Sequence, residues 1–175
     1  MSETKITTGL VRLSFVEVWA PKADKRGDKF YSLCAMVPKS DKATIKKING
    51  AVEAAIVAKW GSKKPKGLKM PLRDGDDEKD GEEFSGMMFF NCKSKSKPGL
   101  IDAKREEVLE ENRIYSGVWA KVNVNFYAFE GDEAKGVAVG LNAVQRLKDD
   151  ESLGGGGWSA DDFEEEDDFE EEDDI

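Results

Sequence analysis

The chain has 175 residues, of which 27 are basic and 36 acidic, with no histidine and two cysteines. The absence of histidine excludes imidazole acid–base catalysis, Ser-His-Asp triads and histidine metal ligation. Two cysteines are too few for a disulfide framework or for a four-ligand Cys/His zinc site. The net charge of −9 conceals two regions of opposite sign, because residues 149–175 hold 15 acids and no base, which leaves +6 on residues 1–148.

The predicted elements follow in chain order. Gly9 to Trp19 reads as a strand, with Val11, Leu13 and Phe15 on one face at period two and Arg12 and Ser14 on the other. Lys29 to Val37 is a second strand, apolar on both faces and stopped by Pro38. The period then changes. From Ser40 or Asp41, either a good N-cap, Ile45, Ile48, Val52, Ile56 and Trp60 share one helical face, and Gly61 suits the end of the helix.

Residues 62–85 are irregular: a basic loop with Lys63, Lys64, Lys66 and Lys69, then an Asp- and Gly-rich run. Met87 to Lys97 reads as a strand. Met88, Phe90 and Cys92 form one face; Phe89, Asn91, Lys93, Lys95 and Lys97 form the other. Pro98-Gly99 turns the chain, and Ala103 to Asn112 fits a short helix or an ordered loop. Tyr115 to Phe129 alternates most clearly, with Val118, Ala120, Val122, Val124, Phe126 and Ala128 opposite Trp119, Lys121, Asn123, Asn125, Tyr127 and Phe129. After a hairpin connection at Glu130 to Gly136, Val137 to Leu147 returns with Val137, Val139, Leu141 and Ala143 on the core face.

Five strands and one main helix predict a mainly β domain over 1–148, a five-stranded Greek-key barrel of the OB type. Residues 149–175 follow as a Gly-rich linker (Gly154 to Gly157) and a disordered acidic tail. Asp161 to Asp174 carries 12 carboxylates in 14 positions, and such a block repels itself and has little apolar surface to bury. No stretch reaches the roughly 20 apolar residues of a membrane span. MSETKITTGL lacks a secretory signal's apolar run, so the expected location is the cytoplasm. Cys34 and Cys92 lie in strand-like runs and read as small buried hydrophobes.

No cofactor is implied. On the calcium-loop template, Asp76, Glu78, Asp80 and Gly81 take their places, but Met87 falls where a bidentate carboxylate is needed. The loop at Gly61 to Lys69 is no phosphate cradle, since Leu68 follows Gly67 where a lysine is required. The positive signal is the outward face of the strands. Single-stranded nucleic acid needs cations for its phosphates and aromatic faces for its bases. Lys93, Lys95 and Lys97, about 7 Å apart at period two, supply the first, and Arg73, Arg12 and Arg146 widen the track. Trp119 and Tyr127, with Lys121 and Asn123 between them, supply the second, and Phe89 and Tyr31 are further candidates for stacking. The competing readings are core packing for Trp119 and edge protection for the lysine ladder.

The segments SDKATIKKI (40–48), PLRDGDDEKDG (71–81), NCKSKSKPGLID (91–102), YSGVWAKVNVNFYAF (115–129) and KGVAVGLNAVQRLKDDE (135–151) resemble a family of bacteriophage single-stranded-DNA-binding proteins. The resemblance spans the body of the chain. It implies an OB-fold with an acidic C-terminal tail, and a replication or recombination accessory protein in the host cytoplasm that coats single-stranded DNA without catalysis. Duplex DNA or RNA as a further ligand, and homo-oligomerisation, remain open. The tail is then an expected intramolecular rival for the basic groove, with Phe163, Phe169 and Ile175 as apolar anchors for a partner protein. Two rival functions stand beside this one. One is a metal-dependent nuclease built on the Asp74 to Glu83 carboxylates; the other is a DNA-mimic or protein-interaction module.

Overall fold

The computed structural model describes residues 3–153 and 163–167. Eight strands form one sheet: β1 (Lys5–Thr7), β2 (Val11–Ala23), β3 (Lys29–Pro38), β4 (Arg73–Asp74), β5 (Met87–Ser94), β6 (Gly99–Ile101), β7 (Trp119–Glu130) and β8 (Lys135–Lys148). The main helix α1 (Lys42–Trp60) lies between β3 and β4 in the chain, and a single turn, α2 (Gly75–Glu78), follows β4. Five strands close on themselves in the order β2-β3-β5-β8-β7, the ring being completed where β7 pairs again with β2. All these pairings are antiparallel except β5 with β8, which meet in parallel at Lys93 and Gly140. That is the expected five-stranded OB barrel, with β1, β4 and β6 added at its margins.

The barrel interior is filled by the predicted inward residues Leu13, Phe90, Val122 and Leu141, joined by Leu33 and Ala35 of β3, all in one buried cluster. Helix α1 adds Ile48, Val52 and Ile56 to that cluster and packs chiefly on β7. Its start is fixed locally. The Asp41 carboxylate accepts from the Thr44 backbone N–H at 3.1 Å and from the Thr44 hydroxyl at 2.7 Å, and that hydroxyl accepts the Gly9 N–H at 2.9 Å. A Cβ on Gly9 would lie 2.7 Å from Asp41 Oδ2, so only glycine lets the entry to β2 approach the cap this closely.

A second, smaller core sits outside the barrel on the outer face of β3 and β5. Cys34, Met36, Phe84, Met87 and Phe89 form it, with Trp119 and Leu153 packed at its edge. Phe89, expected as an outward aromatic, is 1% exposed. The alternation had its direction right. The face is roofed, however, by the segment after β4, whose Phe84 meets the Phe89 ring edge-on at 5.4 Å. Phe89→Ala is therefore expected to cost about 3–5 kcal/mol of stability, read as a lower denaturation midpoint.

Burial pushes the Cys34 thiol up to about 12 and raises that of Cys92 as well. Both are free, buried and unreactive, as their sequence context suggested. Residues 103–112 form an ordered loop ending in a short 3-10 turn at Glu111–Arg113. Among the described residues, no helix is long and apolar enough to cross a membrane.

Candidate nucleic-acid interface

The outer face of β3 and β5 is half roofed and half open. Strand β5 has β3 along one edge. On its other edge β4 pairs at Met88 and Phe89, while β8 meets it only at Lys93. Between these two partners the sheet is uncovered, and a cleft of about 420 Å³ opens there, lined by Phe15, Ser32, Asn91, Lys93, Arg73 and Met70 among others. This volume lies within the usual range for binding clefts, about 300–1,000 Å³.

Phe15 dominates the rim. It is 65% exposed and has a φ of 49°, a left-handed conformation that is costly for a bulky side chain. The cause is a bulge: the β2–β3 register shifts between Ser14 and Glu17. Two-residue alternation assigns Phe15 to the interior with Leu13; the bulge turns it outward instead. On its far side is a second cavity of about 280 Å³, walled by Lys79, Phe84, Ser116 and Leu153. The ring thus stands as a partition between two hollows.

Several cations sit over aromatic rings on and beyond this face. Lys93 Nζ lies 4.3 Å from the centre of the Phe30 ring and Lys95 Nζ 5.8 Å from it. Lys97 Nζ lies 5.3 Å from the Trp19 ring, and Lys79 Nζ 5.9 Å from that of Phe15. Lys79, Lys93, Lys95 and Lys97 are exposed, and none forms an ion pair among the described residues. Of the three lysines expected as a strand ladder, Lys93 and Lys95 share the Phe30 ring and Lys97 sits over Trp19; β5 ends at Ser94 and places Lys95 and Lys97 beyond the strand. Arg73 lines the cleft but is paired with Glu78, which also raises its pKa.

Several expected contacts lie elsewhere. Tyr31 is half-buried and pairs with Ser94; alternation along β3 puts it on the opposite face from Phe30 and Ser32. Phe30 is the aromatic on the lysine-bearing face. Lys121, Asn123 and Tyr127 are on β7, which borders β2 and β8 but neither β3 nor β5. Asn123 is tied into a polar ladder, donating to the Thr7 hydroxyl at 2.8 Å and accepting from Asn142 at 2.9 Å. Tyr127, 43% exposed, lines a separate hollow with Thr4, Ala55 and Lys59. The structure does not bring these residues to the cleft.

Trp119, Arg12 and Arg146 are occupied by the root of the tail. Trp119 Nε1 donates to Asp150 Oδ2 at 2.7 Å. Arg12 donates to the Glu151 carbonyl at 2.8 Å, and Arg146 pairs with Asp149. The Tyr115 hydroxyl donates to Asp149 Oδ1 at 3.0 Å, and the Leu153 N–H donates to the Ser116 carbonyl at 2.9 Å. Gly117, at φ 119°, makes room, since a Cβ there would lie 2.2 Å from the Glu151 carbonyl oxygen. Residues 149–153, expected as the start of the linker, are thus held on the barrel. Phe163 is exposed, while Gly154 to Gly157, Phe169 and Ile175 lie outside the described residues.

The Arg146 guanidinium and the Tyr115 hydroxyl hold the Asp149 carboxyl below its ordinary value, and the Trp119 indole does so for Asp150. Carboxyls lowered on docking favour the docked state above the ordinary carboxylate value, near pH 4. That preference is lost as the pH falls through the lowered values. Trp119 fluorescence, taken as the difference from Trp119→Phe, is expected to be constant above about pH 4 and to change below it.

The acidic run after β4 is used internally. Lys39 Nζ pairs with Asp74 at 2.8 Å and Asp76 at 2.7 Å, which lowers both carboxyls. Among the described residues, no group of three or more Asp, Glu or Cys side chains is arranged to hold a metal ion.

A closed OB barrel whose second and third strands present an open face of cations and aromatics defines an oligomer-binding OB domain, the class that holds oligonucleotides or oligosaccharides on this face. The chain belongs to the family of the Enterobacter phage Enc34 ssDNA-binding protein, whose family model matches residues 4–175. It is similar to the single-stranded DNA-binding protein of bacteriophage Enc34 solved in complex with ssDNA, at 26% identity over 86% of this chain and 90% of that one, with a TM-score of 0.78. Another structure of the Enc34 protein matches at 26% identity over 91% of this chain and 89% of that one, with a TM-score of 0.72. The single-stranded DNA-binding protein gp2.5 of bacteriophage T7 shares the fold, at 18% identity over 95% of this chain and 98% of that one, with a TM-score of 0.63. No curated protein matches the chain.

Proposed function

We propose that this chain binds single-stranded DNA without strong sequence preference and coats it during phage DNA replication or recombination in the host cytoplasm, without catalysing a reaction. The observation that carries this reading is the open half of the β3–β5 face. There Phe15 and Phe30 offer ring faces, and Lys93 and Lys95 offer charge not neutralised by neighbouring acids, with Lys79 across the Phe15 partition and Lys97 over Trp19 as further unpaired cations. Flat rings take any base and lysines take any phosphate, so sequence tolerance follows from the residue types. The Enc34 relative, solved with ssDNA, supports the same ligand.

The working division is a binding domain over 1–148 and a tail over 149–175 rooted by its first five residues. Beyond Leu153 the tail is a polyanion that competes with DNA for the lysines and carries Phe163, Phe169 and Ile175 toward a replication or recombination partner. Titrating the full chain with oligo-dT, with matched duplex and RNA as competitors, tests the ligand. Saturable binding with oligo-dT preferred supports the reading; equal competition by duplex contradicts it. Incubation of labelled oligo-dT with magnesium or manganese tests the absence of catalysis, and cleavage abolished by Asp76→Ala would revive the nuclease.

A further inference from the structure

We propose that the loop between α1 and β4 is a second backbone-binding segment, which continues the nucleic-acid path beyond the cleft and lengthens the footprint past the barrel. This rests on the single-strand-binding reading above. Residues 61–72 carry four lysines and no acid. Lys63, Lys64, Lys66 and Lys69 are exposed and form no ion pair among the described residues. Three neighbouring cations, by contrast, are paired: Lys39 with Asp74 and Asp76, Arg73 with Glu78, and Lys135 with Glu130.

The loop is also held in place. The Lys69 N–H donates to the Lys135 carbonyl at 2.9 Å, and the Val137 N–H donates to the Lys69 carbonyl at 3.0 Å. This pins the loop to the start of β8. Gly136 permits the approach, since a Cβ there would lie 2.4 Å from the Lys69 carbonyl oxygen. Pro65 and Pro71 restrict the backbone on either side of the loop's turn at Gly67, whose φ is 72°. A pinned, proline-stiffened loop loses little freedom when a ligand docks on it.

The third observation is continuity. Met70 lines the main cleft together with Phe15 and Lys93. It also lines a hollow of about 500 Å³ formed by the loop itself, with Lys64, Pro65, Lys66, Gly67 and Leu68. Met70 is 45% exposed and is the shared wall of the two. A strand leaving the Phe15 partition past Lys93 therefore meets an apolar side chain and then an uncompensated pair of lysines. Phosphodiester is the ligand this sequence of chemistries suits.

The full chain is compared as wild type, K64A/K66A and, as a charge-matched control on α1, K42A/K46A. Each is titrated with oligo-dT of about 8 and about 20 nucleotides, lengths that bracket the site size of one OB-fold. The loop pair is expected to weaken binding of the longer oligonucleotide several-fold and to reduce its salt slope by about 1.4 for two lost phosphate contacts. It should leave the shorter one within about twofold, and the helix pair should change neither. K64Q/K66Q, which keeps polar side chains in the loop, should repeat the result. An unchanged affinity for the longer oligonucleotide, an equal loss at both lengths, or an equal effect from the helix pair overturns the proposal. Wild-type chain that binds neither length would instead remove the single-strand reading itself.

Discussion

Phe15→Gly is expected to lower affinity for oligo-dT by roughly ten- to a hundredfold while leaving thermal stability unchanged or raised, since stacking of one base on one aromatic contributes about 1–3 kcal/mol. The two effects separate because of where the residue sits. At 65% exposure the ring contributes little to the core. Its φ of 49° is a conformation that glycine adopts without steric cost. A side chain that is exposed, apolar and backbone-strained at once works against the stability of its own fold. Such outliers are kept where the strained geometry aims a group at a ligand. Fluorescence titration with oligo-dT, paired with a thermal melt, checks both halves. A variant that binds as the wild type does would show that Phe15 is not a stacking platform, and one that loses stability would make it a packing residue.

Substituting Lys93, Lys95 and Lys97 together by alanine is expected to reduce the slope of log affinity against log salt by about 2. Three phosphate contacts at about 0.7 per contact give that figure for single strands. The loss should be greatest at low salt, where counterion release contributes most. Removing these lysines also frees the rings of Phe30 and Trp19 from their cation contacts. Stability should fall by no more than about 1.5–3 kcal/mol, since three exposed cation–π pairs contribute about 0.5–1 kcal/mol each. Filter binding across a salt series measures the slope. An unchanged slope would move the phosphate track elsewhere on the barrel, with the β7 face bearing Lys121 as the next place to look.

The barrel was legible because its strands alternate cleanly. The runs that became β7 and β8 bury the residues the pattern assigns inward, among them Val122, Val124, Phe126, Val139 and Leu141. The α1 face reads equally well from Ile48, Val52 and Ile56. The site was less legible, and the reasons are specific. Period-two reading assumes an unbroken strand, so the bulge that everts Phe15 is invisible to it. The same reading gives Phe89 its correct face but cannot know that the segment carrying Phe84 folds over that face.

Trp119 alternates outward as expected, yet the root of the tail covers it, a contact more than thirty residues along the chain that no local pattern announces. Phe30 and Tyr31 are adjacent, and only the register of β3 against β5 decides which one stands with the lysines. Lys93, Lys95 and Lys97 stay exposed although only Lys93 lies on the strand. Lys93 and Lys95 share the Phe30 ring, while Lys97 reaches Trp19.

The tail's role narrows in the same way. Its first residues are not a free linker. Asp149 and Asp150 neutralise Arg146 and Arg12 and satisfy the Trp119 indole. Leu153 ends beside the second small cavity, across the Phe15 partition from the main cleft. The described root of the tail therefore ends beside the proposed binding site. Attachment of this kind raises the effective concentration of a weak competitor without any new contact.

The most direct measurement is a titration of oligo-dT, across a series of salt concentrations, into the full chain and into a chain ending at Leu153. Both are predicted to bind saturably, with affinity falling linearly in log salt. The shorter chain should bind more tightly, by the largest factor at low salt. No saturable binding by either chain at low salt would contradict the account.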